Sequence, residues 1–113
     1  MKIIHQDETR KVQNSRQCRV YEYPLEDKDI NGAFVKITGR EPDEGRVVNL
    51  VCKELAYVIS GSGIIVIEDK EIKFKVGDLI LIEPGEKFFW NGNMDLFLPC
   101  SPAWYSDQYK RVE

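Results

Sequence analysis

Residue types that support nucleophilic or metal chemistry are few in this sequence and lie far apart. The chain has one histidine, His5, which stands in a polar N-terminal stretch. A Ser/His/Asp or Cys/His arrangement needs a histidine beside its nucleophile, so a hydrolytic triad is not expected. Gly61-Ser62-Gly63 lacks the following helix that a phosphate-binding loop or a dinucleotide fingerprint requires, and it predicts a turn instead. The sequence therefore disfavours triad hydrolases and dinucleotide-dependent enzymes.

The chain carries three cysteines, Cys18, Cys52 and Cys100, without a spacing typical of a disulfide pair. An odd number of such cysteines is typical of reduced thiols in the cytoplasm. Each can serve as a small buried apolar residue, or one can be a reactive thiol; Cys52 and Cys100 could also face a cavity. With no second cysteine or histidine close in sequence, a zinc site is not expected. We predict reduced thiols in a cytoplasmic protein.

The size and charge of the chain limit its organisation and its partners. With 113 residues, we expect a single domain over residues 1–113. Lys and Arg number 16 and Asp and Glu number 19, which gives a net charge of −3 and disfavours nucleic acid as a partner. The N-terminus lacks the apolar core of a signal peptide, and no apolar run approaches the length of a membrane span. We therefore expect no membrane association.

Short apolar segments rich in valine and isoleucine dominate residues 54–90. They are too short for helices and are separated by turn-forming residues at 61–63, 68–71, 77–78 and 84–87, so they predict β-strands. In residues 72–76 the alternation places Ile72, Phe74 and Val76 inward. Further strands are predicted at residues 18–23, 33–38, 46–52 and 94–98, with turns or loops at 31–32, 39–45 and 91–92.

The two ends of the chain give weaker patterns. Residues 1–17 are predicted to form an N-terminal arm, with one short strand near residues 1–4. Residues 99–113 are predicted to form a tail with a helical turn that begins near Ser106, a possible N-cap. The strands between these ends, at residues 18–98, predict an all-β sandwich or barrel.

Two segments resemble the conserved motifs of the cupins, which are small β-barrels. In the first, Glu54 is followed by Gly61, within the sequence YVISGSG at residues 57–63. In the second, Gly77 and Gly85 enclose the sequence DLILIEP. The resemblance covers about residues 33–98 and implies a double-stranded β-helix, also called a jelly-roll barrel. Cupins of this size commonly form homodimers by packing sheet against sheet, so the resemblance also implies a homodimer.

The positions at which cupins carry metal-binding histidines hold other residues here. The first two histidine positions fall on Val47 and Asn49, or on Val48 and Leu50, depending on the gap before Glu54. The third histidine position falls on Phe88. Iron, manganese or zinc would need several imidazole nitrogens beside the carboxylate, so we predict no metal cofactor and no dioxygenase chemistry.

The resemblance places Glu54 inside an apolar barrel, where its pKa should rise unless a partner stabilises the charge. Two interpretations remain open. Glu54 is either a structural carboxylate, paired with Arg46 or Lys53, capping backbone amides or exposed at the strand junction, or it is a general acid/base or ligand-binding group. Asn49 shares a strand face with Val47 and needs a hydrogen-bond partner, so it too is either structural or ligand-facing.

Aromatic residues suggest a pocket. Phe88 and Trp90 are two residues apart and share one face of a strand, so they either pack in the core or line a pocket suited to a planar or sugar-like ligand. Trp104 and Tyr105, in the tail, are predicted to cover the barrel mouth or to make dimer contacts.

Three functions are consistent with these features. The first is a metal-free cupin that binds a small sugar-like or aromatic, apolar molecule through Asn49, Glu54, Phe88, Trp90 and Tyr105. The second is a metal-independent isomerase or epimerase of sugars or nucleotide sugars that uses Glu54 or a tyrosine as acid/base. The third is an unusual metal-binding cupin. The fold alone does not decide among them.

Overall fold

The structure is a computed structural model that describes all residues, 1–113, and it is built almost entirely of β-strands. Its strands are β1 (Arg10–Ser15), β2 (Cys18–Glu22), β3 (Asn31–Glu41), β4 (Arg46–Asn49), β5 (Lys53–Ile67), β6 (Lys70–Lys75), β7 (Leu79–Ile82), β8 (Lys87–Ser101) and β9 (Tyr109–Val112). Two short 3-10 helices span Gln6–Glu8 and Ser106–Gln108. Neither helix has the length and apolar composition needed to cross a membrane.

All strand pairs are antiparallel, and β8 is the central strand because it pairs with β3, β4 and β5. One path runs in the order β1, β2, β3, β8, β4, β9, while β5 pairs with β6, β7 and β8. The 15-residue strands β5 and β8 pair along most of their length and curl the sheet around the core. The all-β jelly-roll prediction is confirmed.

Glycines mark a close approach of β5, β8 and β3 where the sequence predicted turns. Gly63 of β5 lies opposite Gly92 of β8, and Gly92 also lies opposite Gly39 of β3. A side chain on Gly92 would place its Cβ 2.6 Å from the Cα of Gly63. The predicted turns at 61–63 and 91–92 are therefore wrong, because the glycines let the strands continue past one another. The strand β3 likewise runs through the predicted turn at 31–32 and into the predicted loop at 39–45.

Both ends of the chain contribute strands to the sheet. The strands therefore extend beyond residues 18–98, the range predicted for the barrel. The predicted strand near residues 1–4 is wrong; the strand lies at Arg10–Ser15 and pairs with β2. Its side chains are mostly exposed, so no alternation of apolar residues reveals it. The helical turn near Ser106 is confirmed, but Tyr105 holds the N-cap position. The tail then returns as β9 and pairs with β4.

The core lies inside the curled sheet. It is formed by buried apolar residues of β2–β8, among them Val35, Ile37, Val58, Ile65, Ile82 and Leu96. Of the three residues in 72–76 predicted to face inward, Phe74 is 5% exposed, whereas Ile72 and Val76 are 41% and 57% exposed. The prediction is wrong for these two because Ile72 belongs to the edge strand β6, which pairs only with β5, and Val76 lies beyond the end of that strand.

A second apolar surface lies on the outer face of β5 and β7. Leu55 stands opposite Leu81 and Tyr57 opposite Leu79, and all four side chains are exposed. Ile59 extends this surface along β5 and is also exposed. We call these five residues the outer apolar face.

Candidate functional site

A partly open cavity of about 540 Å³ lies within the barrel. This volume is in the range of pockets that hold small organic molecules. Its wall is mostly apolar and includes Val20, Ala33, Val35, Ile37 and Leu98. The C-terminal part of the chain contributes Trp104, Tyr105, Ser106 and Tyr109 to the cavity wall.

Four of the five predicted ligand-binding residues, Glu54, Phe88, Trp90 and Tyr105, line this cavity together. Asn49 does not line it, but its side-chain amide binds the carboxylate of Glu54. Asn49 is therefore a hydrogen-bonding partner of Glu54, which agrees with the structural alternative for that residue. All three cysteines are buried free thiols; Cys18 and Cys100 line the cavity and Cys52 does not.

The residues at the cupin ligand positions lie together but do not fit a metal ion. Val47 stands opposite Phe88 in register, and both line the cavity with Glu54. Leu50 is exposed, so the first of the two alignments, with Val47 and Asn49, matches the barrel interior. Valine and phenylalanine offer no donor atoms. The structure contains no group of three or more His, Cys, Asp or Glu side chains placed to hold a metal ion.

Glu54 is buried without a cationic partner. It is 6% exposed, and its Oε1 accepts hydrogen bonds from Asn49 Nδ2 at 3.1 Å and from Cys100 Sγ at 3.8 Å. Burial raises the pKa of this carboxyl from an ordinary 4.5 to about 7, although both hydrogen bonds act in the opposite direction. The protonated form of Glu54 therefore persists to higher pH than that of an exposed glutamate.

The basic residues predicted as partners of Glu54 are engaged elsewhere. The guanidinium of Arg46 donates to the carbonyl oxygen of Glu68 at 2.6 Å, and the ammonium of Lys53 lies 3.7 Å from the carboxylate of Glu83. The prediction that Glu54 pairs with Arg46 or Lys53 is therefore wrong. Because Lys53 precedes Glu54 in the same strand, its side chain points to the opposite face of the sheet.

Gln108 is a functional candidate that the sequence analysis missed. It is 2% exposed, and its Oε1 accepts hydrogen bonds from the backbone N–H groups of Val51 and Cys52, both at 3.1 Å. Its Nε2 donates to Asn49 Oδ1 at 2.9 Å. A glutamine in a charged tail gives no local sign that it reaches the barrel interior.

A second carboxylate, Glu41, also lines the cavity and was missed, because residues 39–45 were predicted to form a loop. Glu41 is 5% exposed and forms no ion pair within 4.0 Å. Its Oε2 accepts from Asn14 Nδ2 at 2.7 Å, and its Oε1 accepts from the hydroxyl of Ser15. The N-terminal strand β1 therefore builds one wall of the site.

Nearby thiol and phenol groups remain protonated at neutral pH. The pKa of Cys18 and that of Tyr109 are raised, chiefly by burial and secondly by the negative charge of Glu41. The pKa of Cys100 is raised by burial and then by the charge of Glu54. Burial therefore disfavours the thiolate of Cys18 and of Cys100, which is the form that reacts as a nucleophile.

Aromatic rings of the cavity wall pack against one another. Trp90 packs edge-on against Phe88, with ring centroids 6.3 Å apart. Trp104 packs against Tyr109 at 5.4 Å. The backbone of Trp104 is anchored because its N–H donates to Asn31 Oδ1 at 3.0 Å and its carbonyl accepts from Asn31 Nδ2 at 3.2 Å. Flat aromatic rings of this kind suit a planar ligand.

The charged residues of the wall are predominantly acidic. Glu22, Glu41 and Glu54 line the cavity, and Arg10 is its single basic residue. Such a wall repels phosphate and carboxylate groups and favours ligands that offer hydrogen-bond donors.

The barrel fold matches that of solved structures. The fold is that of a cupin. The nucleoside dehydratase Pac13 superposes with a TM-score of 0.91 at 18% identity, over 100% of this chain and 92% of that one. KdgF from Halomonas sp. gives a TM-score of 0.72 at 15% identity, over 94% and 97% of the two chains. Ectoine synthase from P. lautus gives 0.75 at 13% identity, over 100% and 86%.

At these identities the likeness establishes the cupin fold and nothing finer. No protein-family model and no curated protein sequence matches this chain. Variants of the Streptomyces Pac13 protein have been solved with uridine. Cupin barrels of this shape therefore include proteins that accommodate small organic molecules.

Proposed function

We propose that this protein binds an uncharged, hydroxylated small molecule with a planar ring inside its barrel, without a metal ion. The observation that carries the proposal is the cavity of about 540 Å³, which combines fixed aromatic rings with two buried carboxylates, Glu41 and Glu54, that have no cationic partner. Carboxylate oxygens accept hydrogen bonds from ligand hydroxyl groups, and the rings pack against a flat group. A nucleoside has both features, and a solved protein with this fold contains uridine.

The acidic wall argues against phosphorylated ligands, including the nucleotide sugars considered from the sequence. We expect uridine to quench the fluorescence of Trp90 and Trp104 in a saturable titration. The affinity for uridine 5′-monophosphate should be lower by at least about tenfold. The Glu41→Gln variant should reduce the difference in affinity between uridine and uridine 5′-monophosphate, because it removes one buried negative charge. The Glu71→Gln variant, which changes an exposed carboxylate on β6, should leave it unchanged. Absence of a saturable fluorescence change up to about 10 mM uridine would contradict the proposal that the ligand resembles a nucleoside.

A second candidate function is metal-independent acid–base catalysis on such a ligand. It is favoured by the pKa of Glu54, which is raised to about 7, because a general acid works best when its pKa lies near the working pH. Glu54 would donate a proton to one ligand atom and accept a proton from another during isomerisation or epimerisation, so that the ligand neither gains nor loses atoms. The Glu54→Gln variant preserves shape and removes the acid, so lost turnover with retained binding would support this role.

We also propose that the protein is a cytoplasmic homodimer that pairs through the outer apolar face. Four apolar side chains in register on β5 and β7, together with Ile59 of β5, form a surface whose burial would be favourable. We expect a dimer in native mass spectrometry of untagged protein purified without chelator, and a monomer for Leu81→Glu. Ile30→Glu, which also places a charge on an exposed apolar residue but lies off this face, should remain dimeric. A monomeric wild-type protein would contradict the proposal, and one metal ion per chain would contradict metal-free binding.

A further inference from the structure

A buried chain of hydrogen bonds leads from the backbone after β4 to Glu54, and its direction is fixed. The N–H groups of Val51 and Cys52 can only donate, so the Gln108 side-chain atom that they contact is its oxygen. Gln108 Nε2 must then donate to Asn49 Oδ1, at 2.9 Å. Asn49 consequently turns its own NH₂ group toward Glu54 Oε1, at 3.1 Å. The two backbone amides thus determine the orientation of both side-chain amides.

This chain leaves the two oxygens of Glu54 inequivalent. Oε1 accepts from Asn49 Nδ2 and from the thiol of Cys100, so both of its lone pairs are occupied. Oε2 accepts no hydrogen bond from the protein, yet no fully buried side-chain nitrogen or oxygen lacks a partner. Oε2 therefore keeps accessible surface, and the open space that Glu54 lines is the cavity.

We propose that Gln108 and Asn49 are positioning residues that direct an N–H group to Oε1 of Glu54, so that the acidic proton is carried by Oε2 and presented to the cavity. The catalytic consequence rests on the acid–base role proposed above; the hydrogen-bond chain itself does not. A ligand hydroxyl that accepts a proton must then lie on the Oε2 side of the carboxyl group. Gln108 acts through Asn49 and need not touch the ligand.

Several titratable groups surround Glu54 and must be considered in any test. Those that interact electrostatically with it are Cys18, Cys52, Cys100 and Tyr109; the charged residues that share its cavity are Arg10, Glu22 and Glu41. The three thiols and the phenol have raised pKa values, so they stay protonated through neutral pH. A titration of Glu54 near pH 7 is therefore separable from theirs.

The test is a titration of the Glu54 carboxyl carbon by NMR in the full chain. In the Asn49→Asp variant a carboxylate replaces the NH₂ group that faces Oε1, so we expect the pKa of Glu54 to rise by about one unit or more. In the Gln108→Leu variant Asn49 loses its fixed orientation, so we expect a smaller rise in the pKa of Glu54. Asn93→Asp makes the same chemical change at an exposed position of β8 and should leave the Glu54 titration unmoved. An unchanged Glu54 pKa in folded Asn49→Asp protein would overturn the proposal.

A second measurement uses the unmodified protein and needs no variant to fold. The side-chain amide nitrogen of Asn49 should change its chemical shift with the same midpoint as the Glu54 carboxyl carbon, because the two groups share a hydrogen bond. A pH-independent Asn49 amide would overturn the proposal. Neither measurement requires a ligand, so a confirmed hydrogen-bond chain in a protein without turnover would refute only the acid–base function.

Discussion

Replacement of Gly92 by alanine should destabilise the protein by about 4 kcal/mol or prevent folding. The added Cβ would lie 2.6 Å from both the Cα of Gly63 and the carbonyl oxygen of Ser62. These are backbone atoms of the neighbouring strand, so the clash is relieved only if β5 and β8 separate. The φ angle of +152° at Gly92 adds strain for any residue with a side chain.

Gly77→Ala is the matched control for this prediction. Gly77 also has a positive φ, +93°, but a Cβ there would meet nothing within 4 Å. Its replacement should cost only the conformational strain, about 1 to 2 kcal/mol. Urea denaturation of both variants measures the two losses. Equal losses would mean that backbone conformation alone accounts for the effect and that the strands do not need close contact at Gly92.

The same comparison explains why the sequence predicted the fold but misplaced several turns. Short Val- and Ile-rich segments predict strands because β-branched residues fit a pleated, buried surface. Glycine, by contrast, is favoured both where a chain turns and where two backbones approach closely. The local pattern at 61–63 and at 91–92 cannot separate these causes, because the second depends on a strand distant in sequence.

The candidate site was predictable where residues share a strand or a motif. Phe88 and Trp90 follow from two-residue periodicity, and Glu54 follows from its place in the cupin-like motif. Alternation along β5 could also have excluded Lys53 as the partner of Glu54, because adjacent residues face opposite sides. Glu41 and Gln108 were not predictable, since a carboxylate in a charged segment and an amide in a polar tail become buried only through pairing with distant strands.

Glu54 should make the protein less stable as the pH rises from about 4.5 to about 7. The folded-state pKa of Glu54, about 7, lies above its ordinary value of 4.5, so the folded state holds more protons than the unfolded state in this interval. The free energy of unfolding therefore decreases as the pH rises, by about 3 kcal/mol in total, and the loss is complete above the folded-state pKa. The depressed pKa of Asp43 acts with the opposite sign, but only at lower pH, below 3.8.

Glu54→Gln should remove this dependence, because glutamine has the same shape and does not ionise. Its side-chain oxygen can still accept from Asn49, so the variant should match the wild-type protein near pH 4.5 and exceed its stability by about 3 kcal/mol at pH 8.5. Urea denaturation at several pH values measures the difference, and Glu71→Gln, an exposed change on β6, should follow the wild-type curve. Parallel curves for Glu54→Gln and wild type would show that the carboxyl ionises normally.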